Sequence, residues 1–124
     1  MKKMKIAGWI MTVLPAALLI FSAVMKLIKP AAVVEGFAKF GIPESLIIPL
    51  GIVELACTIL YVLPRTSILG AILLTGYLGG ATCTHLRVGD PFIPAVILGM
   101  VIWGGLFLRE PRLRALIPLR QPVS

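Results

Sequence analysis

Five side chains in this sequence stand out as able to do chemistry in apolar surroundings: Lys26, Glu54, His85, Arg87 and Asp90. Glu54 carries the strongest signal. It sits near the centre of Leu46 to Leu63, an 18-residue stretch in which it is the only formal charge. As a helix, that stretch would cross roughly 27 Å, close to the thickness of a bilayer's hydrocarbon core. A carboxylate at that depth costs a few kcal/mol or more unless it is neutral, paired or wetted. Glu54 is therefore either a functional carboxylate or half of a structural ion pair. His85 and Lys26 are its candidate partners, because an imidazole titrates near neutrality and could pass a proton to or from a buried carboxyl group.

Each residue also has a plainer reading. Lys26, near the end of an apolar run, can snorkel to the interface. Asp90, in Gly89-Asp90-Pro91, has the chemistry of a turn, and Arg87 that of a headgroup contact. One Glu and one His with no convergent Cys or Asp do not make a metal site. No phosphate loop, zincin motif or Ser-His-Asp set is present. Cys57 and Cys83 lie in different apolar runs without a Cys-x-x-Cys spacing, so both read as buried free thiols.

The elements that must position these residues follow from hydropathy. Hydrophobic residues make up 59% of 124 residues and charged ones 14%, more apolar surface than a soluble fold of this size can hide. Four apolar runs, about 6–28, 46–63, 68–86 and 92–108, predict a single all-α domain over 1–124. It is an integral membrane four-helix bundle with the lipid bilayer as its partner. The first run is too long for a signal-peptide core and no small-x-small cleavage site closes it, so it is expected to stay as a helix, kinked at Pro15. The segment 30–41 is too short to span. It predicts an interfacial helix between the first and second spans, with Val33, Val34, Phe37 and Phe40 on one side and a Glu35–Lys39 pair on the other, a possible lid. Trp103 is expected near an interface, and 109–124 as a basic cytoplasmic tail.

The net charge of +7 does not point to nucleic acid, because the basic residues are dispersed between apolar runs. They serve better as topology signals. If the termini share a side, that side holds eight Lys and Arg and the other four, which predicts both termini in the cytoplasm. Glu54, His85 and Lys26 then fall in the outer half of the bundle, with Glu54 ~12 Å from the outer end of its helix. Tyr61 shares a helical face with Glu54, and Thr82 with His85, so both join Arg87 as candidates for ligand binding or proton handling. Gly76 and Gly80 form a Gly-x-x-x-Gly, expected to pack helices within the bundle or, failing that, between chains.

The chain resembles the DoxX-like family of small four-helix bacterial membrane proteins. The likeness covers nearly all of residues 6–120. It rests on Phe21-Ser22-Ala23-Val24-Met25-Lys26-Leu27 with Pro30, on Phe37 to Pro43, on Gly51-Ile52-Val53-Glu54-Leu55, and on Ala81 to Pro91. Family members often carry Gly where Ala23 stands. The resemblance implies a multi-pass protein of the bacterial inner membrane. Relatives named DoxX and DoxD are linked to membrane redox complexes, the latter to thiosulfate–quinone chemistry, and a vertebrate relative looks like an assembly chaperone for acetylcholine receptors.

Three functions are consistent with these features. The first is a redox-linked membrane subunit, or a binder of a quinone-like or other lipophilic molecule such as a lipid, in an outer-half polar cavity. Lacking a redox centre of its own, it would rely on its ligand or on a membrane oxidoreductase partner for electrons. The second is a non-catalytic helper that packs on another membrane protein through its Gly-rich third span. The third is a small-molecule or proton transporter, which at this length and without an inverted repeat would need a homo-oligomer. Catalysis itself is left open by the residues.

Overall fold

The computed structural model describes residues 2–120 and 122, which are helical almost throughout and contain no strand. The helices are α1 (Lys2–Ile28), α2 (Ala31–Phe40), α3 (Ile47–Val62), α4 (Ser67–Arg87), α5 (Ile93–Arg109) and the single turn α6 (Pro111–Arg114). With the short 3-10 turns at Glu44–Leu46 and Pro64–Thr66, the spans through α1, α3 and α4 are long and apolar enough to cross a membrane; α5 is an apolar helix of 17 residues. The chain is a multi-pass membrane protein.

The bundle is a ring in which α1 packs on α3 and α5, and α4 packs on the same two from the opposite side. Its core is built from Leu19 of α1, Cys57 and Tyr61 of α3, Leu74 and Leu78 of α4, and Ile102 and Leu106 of α5. Large apolar side chains such as Leu14, Phe21, Ile52, Ile72 and Met100 cover the outside. That belt needs lipid as its solvent.

Close approach is made by glycines other than those the Gly-x-x-x-Gly spacing suggested. A Cβ at Gly8 would lie 2.8 Å from the Gly105 carbonyl oxygen, and one at Gly51 would lie 2.9 Å from the Lys26 Cβ. At Gly70 it would run into the Tyr61 backbone. Nothing lies within 4 Å of such an atom at Gly76, Gly79 or Gly80. The expected packing role of Gly76 and Gly80 within the bundle is thus corrected. Both lie on a side of α4 that no other helix of the chain covers.

Between α1 and α3 the chain reverses through Lys29 (φ +57°) and Gly41 (φ +76°), which stand at either end of α2. Pro30 denies Lys29 the right-handed helical region and ends α1 there. The left-handed Gly41 closes α2, with its own N–H and that of Ile42 returning to the Ala38 and Phe37 carbonyls. As the spacing predicts, Val33, Val34, Phe37 and Phe40 are half-buried while Glu35, Ala38 and Lys39 are exposed. Lys39, however, does not pair with Glu35 as expected. It reaches Asp90 at 2.9 Å, because the turn after α4 stands beside the end of α2. One other expectation needs correction: Cys83 is exposed on the outer side of α4. Trp103 donates to Thr75 Oγ1 at 2.7 Å in the α4–α5 seam. The tail also folds back: Leu113 of α6 is buried in the core, and Arg114 donates to the Phe107 and Leu108 carbonyls that α5 leaves free at its end.

Two substitutions on α4 separate these glycines. Gly70→Ala forces a methyl group into the Tyr61 backbone and should lower stability by about 2 kcal/mol. Gly76→Ala meets open space and should be neutral or slightly stabilising. Thermal unfolding of the two variants in mild detergent measures the difference.

Candidate functional site

The bundle has two ends: a terminal end, where α1 begins and α5 finishes, and a lid end, where α2 lies across the openings of α1, α3 and α4. Glu54 points inward and is only 2% exposed. Every other buried residue of α3 (Ile47, Gly51, Cys57, Thr58, Tyr61) recurs with it at helical spacing, so burying that stripe carries the carboxylate inside. Lys26 Nζ donates to Glu54 Oε1 at 2.8 Å and to Ser22 Oγ at 2.8 Å. Gly51 and the buried Ala23 make this possible, since their small size lets α1 and α3 approach at the level of the pair. Tyr77 of α4 lies next to the same carboxylate, and the rings of Tyr77 and Phe37 stand 5.9 and 6.0 Å from the Lys26 ammonium. Lys26 therefore turns inward rather than snorkelling.

Above the ion pair is a cavity of about 360 Å³, lined by Lys26, by Phe37, Phe40 and Ile42 of the lid segment, by Leu50, and by Gly76, Tyr77, Gly80, Ala81, Thr84 and His85 of α4. Glu54 is not at its wall; Lys26 is. The His85 ring meets Phe40 edge to face at 4.8 Å, and its Nδ1 is buried without a hydrogen-bond partner. A buried, unpaired ring nitrogen is costly in an apolar setting, so the site suits a ligand that supplies a polar atom there. Lys26 likewise has three N–H donors, of which Ser22 and Glu54 take two. The cavity thus presents two polar points, one cationic and one imidazole, inside walls of aromatic and small side chains.

At its far end the lid is held by two polar contacts and by the edge-to-face contact of Phe40 with His85. Arg87 Nη2 donates to the Phe40 carbonyl at 3.0 Å, and Lys39 pairs with Asp90. At the near end, Lys29 and Glu44 join the two sides of the linker at 3.2 Å. No residue of α2 is fully buried. Surface ion pairs of this kind contribute about 0–1 kcal/mol each, so the lid is the least firmly held part of the bundle.

Of the residues selected from sequence, Lys26 and His85 stand at the cavity and Glu54 directly behind it. Arg87 is outside, where it caps α2. Tyr61 is not at the cavity. It lies two turns further along α3, fully buried, with its hydroxyl donating to the Ile102 carbonyl at 2.6 Å. Sharing a helical face with Glu54 put it inside the bundle but at another depth. Thr82 faces the groove between α4 and α5 and bonds back to the Leu78 carbonyl at 2.8 Å. Tyr77 was overlooked, although its spacing of four and eight from Ala81 and His85 places the three on one face. Among the described residues no three His, Cys, Asp or Glu side chains converge on a point.

A second polar cluster holds the terminal end. Arg109 belongs to the end of α5, not to a solvated tail, and is 8% exposed. Its guanidinium donates to Thr12 Oγ1 at 2.9 Å, Ser67 Oγ at 3.2 Å and the Tyr61 carbonyl at 3.3 Å. The Trp9 ring covers it at 4.3 Å. One side chain so joins α1, α3, α4 and α5. The partial negative charge of the α3 C-terminus offsets part of its cost. An Arg in a basic run read as a topology signal, and nothing local marked it for burial.

Removing one member of the buried ion pair strands the other. Lys26→Met should destabilise the protein by about 3 kcal/mol, and the double variant Lys26→Met with Glu54→Leu should recover most of that. Arg109→Met should cost about 2 kcal/mol through its three abandoned acceptors, additively with Lys26→Met because the two clusters share no partner. Unfolding curves of the single, double and combined variants test both statements.

Comparison with known proteins adds one finding. No match was found among curated proteins or among solved structures. A family model described as the DoxX-like family matches residues 10–106, which include the Lys26–Glu54 pair and His85. With the match extending over most of the sequence, the chain belongs to the DoxX-like family.

Proposed function

We propose that this protein binds a quinone-like or similar lipophilic carbonyl compound in the cavity at the lid end and acts as a redox-linked membrane component. The observation that carries this reading is the union of a buried Lys26–Glu54 pair with an unpartnered His85 Nδ1 at one small, aromatic-walled cavity. In this reading Lys26 donates its remaining N–H to a carbonyl oxygen of the ligand. Glu54 holds the ammonium in place and balances its charge. His85 takes the second polar atom and is the group placed to exchange a proton with it. Phe37, Phe40 and Tyr77 supply flat apolar contact to a ring. The ligand, or an oxidoreductase partner, carries the electrons. The Lys and Arg distribution supports both termini in the cytoplasm of a bacterial inner membrane, with the cavity toward the outer leaflet.

A second reading, assembly with another membrane protein, is favoured by the bare stripe of Gly76, Gly79 and Gly80. Crosslinking in native membranes separates it from the first: capture of a discrete partner that depends on Gly76 and Gly80 supports the helper role.

Ligand binding is tested on the protein extracted in mild detergent. Mass spectrometry of the extract should recover a lipophilic carbonyl compound. A short-chain benzoquinone should bind wild type in nanodiscs and bind His85→Phe about ten-fold more weakly, the loss of one good hydrogen bond, and should also bind Glu54→Gln more weakly because the Lys26 ammonium is no longer held and balanced. Equal binding by Glu54→Gln and wild type removes Glu54 from the role. No recovered compound together with no binding of the quinone overturns the reading.

A further inference from the structure

The cavity has a side that no helix closes, and this says more about what it holds. Gly76 and Gly80 line it, both are exposed, and a Cβ at either would meet nothing within 4 Å. Counting the helical rise back from Arg87, Gly76 and Gly80 lie roughly 16 and 10 Å below the lid end of α4, at hydrocarbon depth, whereas His85 is only ~3 Å below it. His85 is thus near the interface, the Lys26 ammonium turns inward to Glu54, and the opening faces the acyl chains. Over the polar points lies α2, with Phe37 and Phe40 turned down onto them. A volume of about 360 Å³ is at the small end of ligand pockets, enough for a head group and not for a long tail.

Charge narrows the head group. The Lys26 ammonium is already balanced by Glu54 at 2.8 Å, and Lys39 at the rim by Asp90 at 2.9 Å. Arg87 is turned outward onto the Phe40 carbonyl and is not part of the lining. An anionic head would bring an unbalanced charge beside Glu54, in apolar walls that cannot solvate it. A neutral head bearing oxygen satisfies the third Lys26 N–H as an acceptor. A hydroxyl on it also suits His85 Nδ1 in either tautomer, because it can donate or accept.

We infer that the cavity takes a neutral, oxygen-headed, single-chain amphiphile from within the bilayer, its head at Lys26 and His85 and its chain leaving through the gap over Gly76 and Gly80. This rests on the ligand-binding reading above and adds to it the charge of the head, the route of entry and the two glycines that set chain access.

The test uses the whole protein in nanodiscs with two long-chain diazirine probes of equal chain length, a primary alcohol and a carboxylate. The alcohol should label the α4 stripe and the lid saturably, and the carboxylate about ten-fold less. Gly80→Leu should cut labelling by the alcohol about ten-fold or more by denying the chain several methylene contacts. Gly79→Leu, equally exposed but facing the α4–α5 groove, should label as wild type does. Gly80→Val serves the same purpose with a smaller side chain if the leucine variant does not fold. Undiminished labelling of both Gly80 variants overturns the route while leaving the ligand-binding reading intact. Equal labelling by the two probes overturns the neutral head. A changed oligomeric state in Gly80→Leu assigns the stripe to a partner helix and overturns the inference. No saturable labelling of wild type by either probe, with no quinone bound, overturns the inference and the ligand-binding reading together.

Discussion

The Lys26–Glu54 ion pair is the constraint that the lid end of this protein is arranged around. A carboxylate eight residues into an apolar helix must be matched, and here it is matched by the one lysine that the opposing helix carries at that depth. Bringing the two within 2.8 Å demands that α1 and α3 approach closely, which explains a glycine at 51 and an alanine at 23. It also demands that the pair be shielded. Phe37 from the lid and Tyr77 from α4 stand over the ammonium, where aromatic faces attract a cation that has left water. In the absence of a hydrophobic drive between helices in lipid, such a charged contact helps decide which helix faces meet.

The terminal end answers the same problem with different chemistry. Arg109 has no carboxylate; two hydroxyls, one carbonyl and the faces of Trp9 and Tyr61 surround it. Its planar fork can reach three helices at once, which a lysine could not do. With one polar node at each end and a core of Leu, Ile and Tyr between them, the four spans are fixed against sliding. α2 is left without buried anchors, and it is the segment over the cavity. In the proposed ligand-binding reading, the rigid helices would form a fixed floor and α2 a lightly held cover.

Polarity at the cavity is sparse and balanced. Its charges cancel within the protein, which leaves a site that is polar at two points and neutral as a whole. A headgroup-binding patch would instead leave charge of one sign exposed to draw in its opposite. The Gly-rich side of α4 fits the same picture. Small residues in a membrane helix commonly admit another helix; at Gly76 and Gly80 they border empty space that is continuous with the cavity.

Hydropathy and spacing alone determined the four apolar helices, the short helix between the first two and the inward turn of Glu54. Each follows from a periodic burden, apolar length or a costly charge, that any fold of this chain in lipid must meet. The half-buried side of α2 was legible for the same reason. Partners were not. Lys39 had a neighbour of the right charge at Glu35, four residues away, yet the turn at Asp90, distant in sequence, took it. Tyr61 and Thr82 share helical faces with Glu54 and His85, but a face says which way a residue points and not at what depth another helix meets it. Arg109 read as one more charge in a basic run, because only the packing of α1, α3 and α4 around it created its acceptors. Gly76 and Gly80 had a spacing that suits helix contact, and only the ring order of the spans left them facing a cavity instead. Sequence settled that Glu54 had to be matched and the apolar runs covered; the tertiary structure decided by what, because contacts between helices depend on their order and depth, which no local pattern encodes.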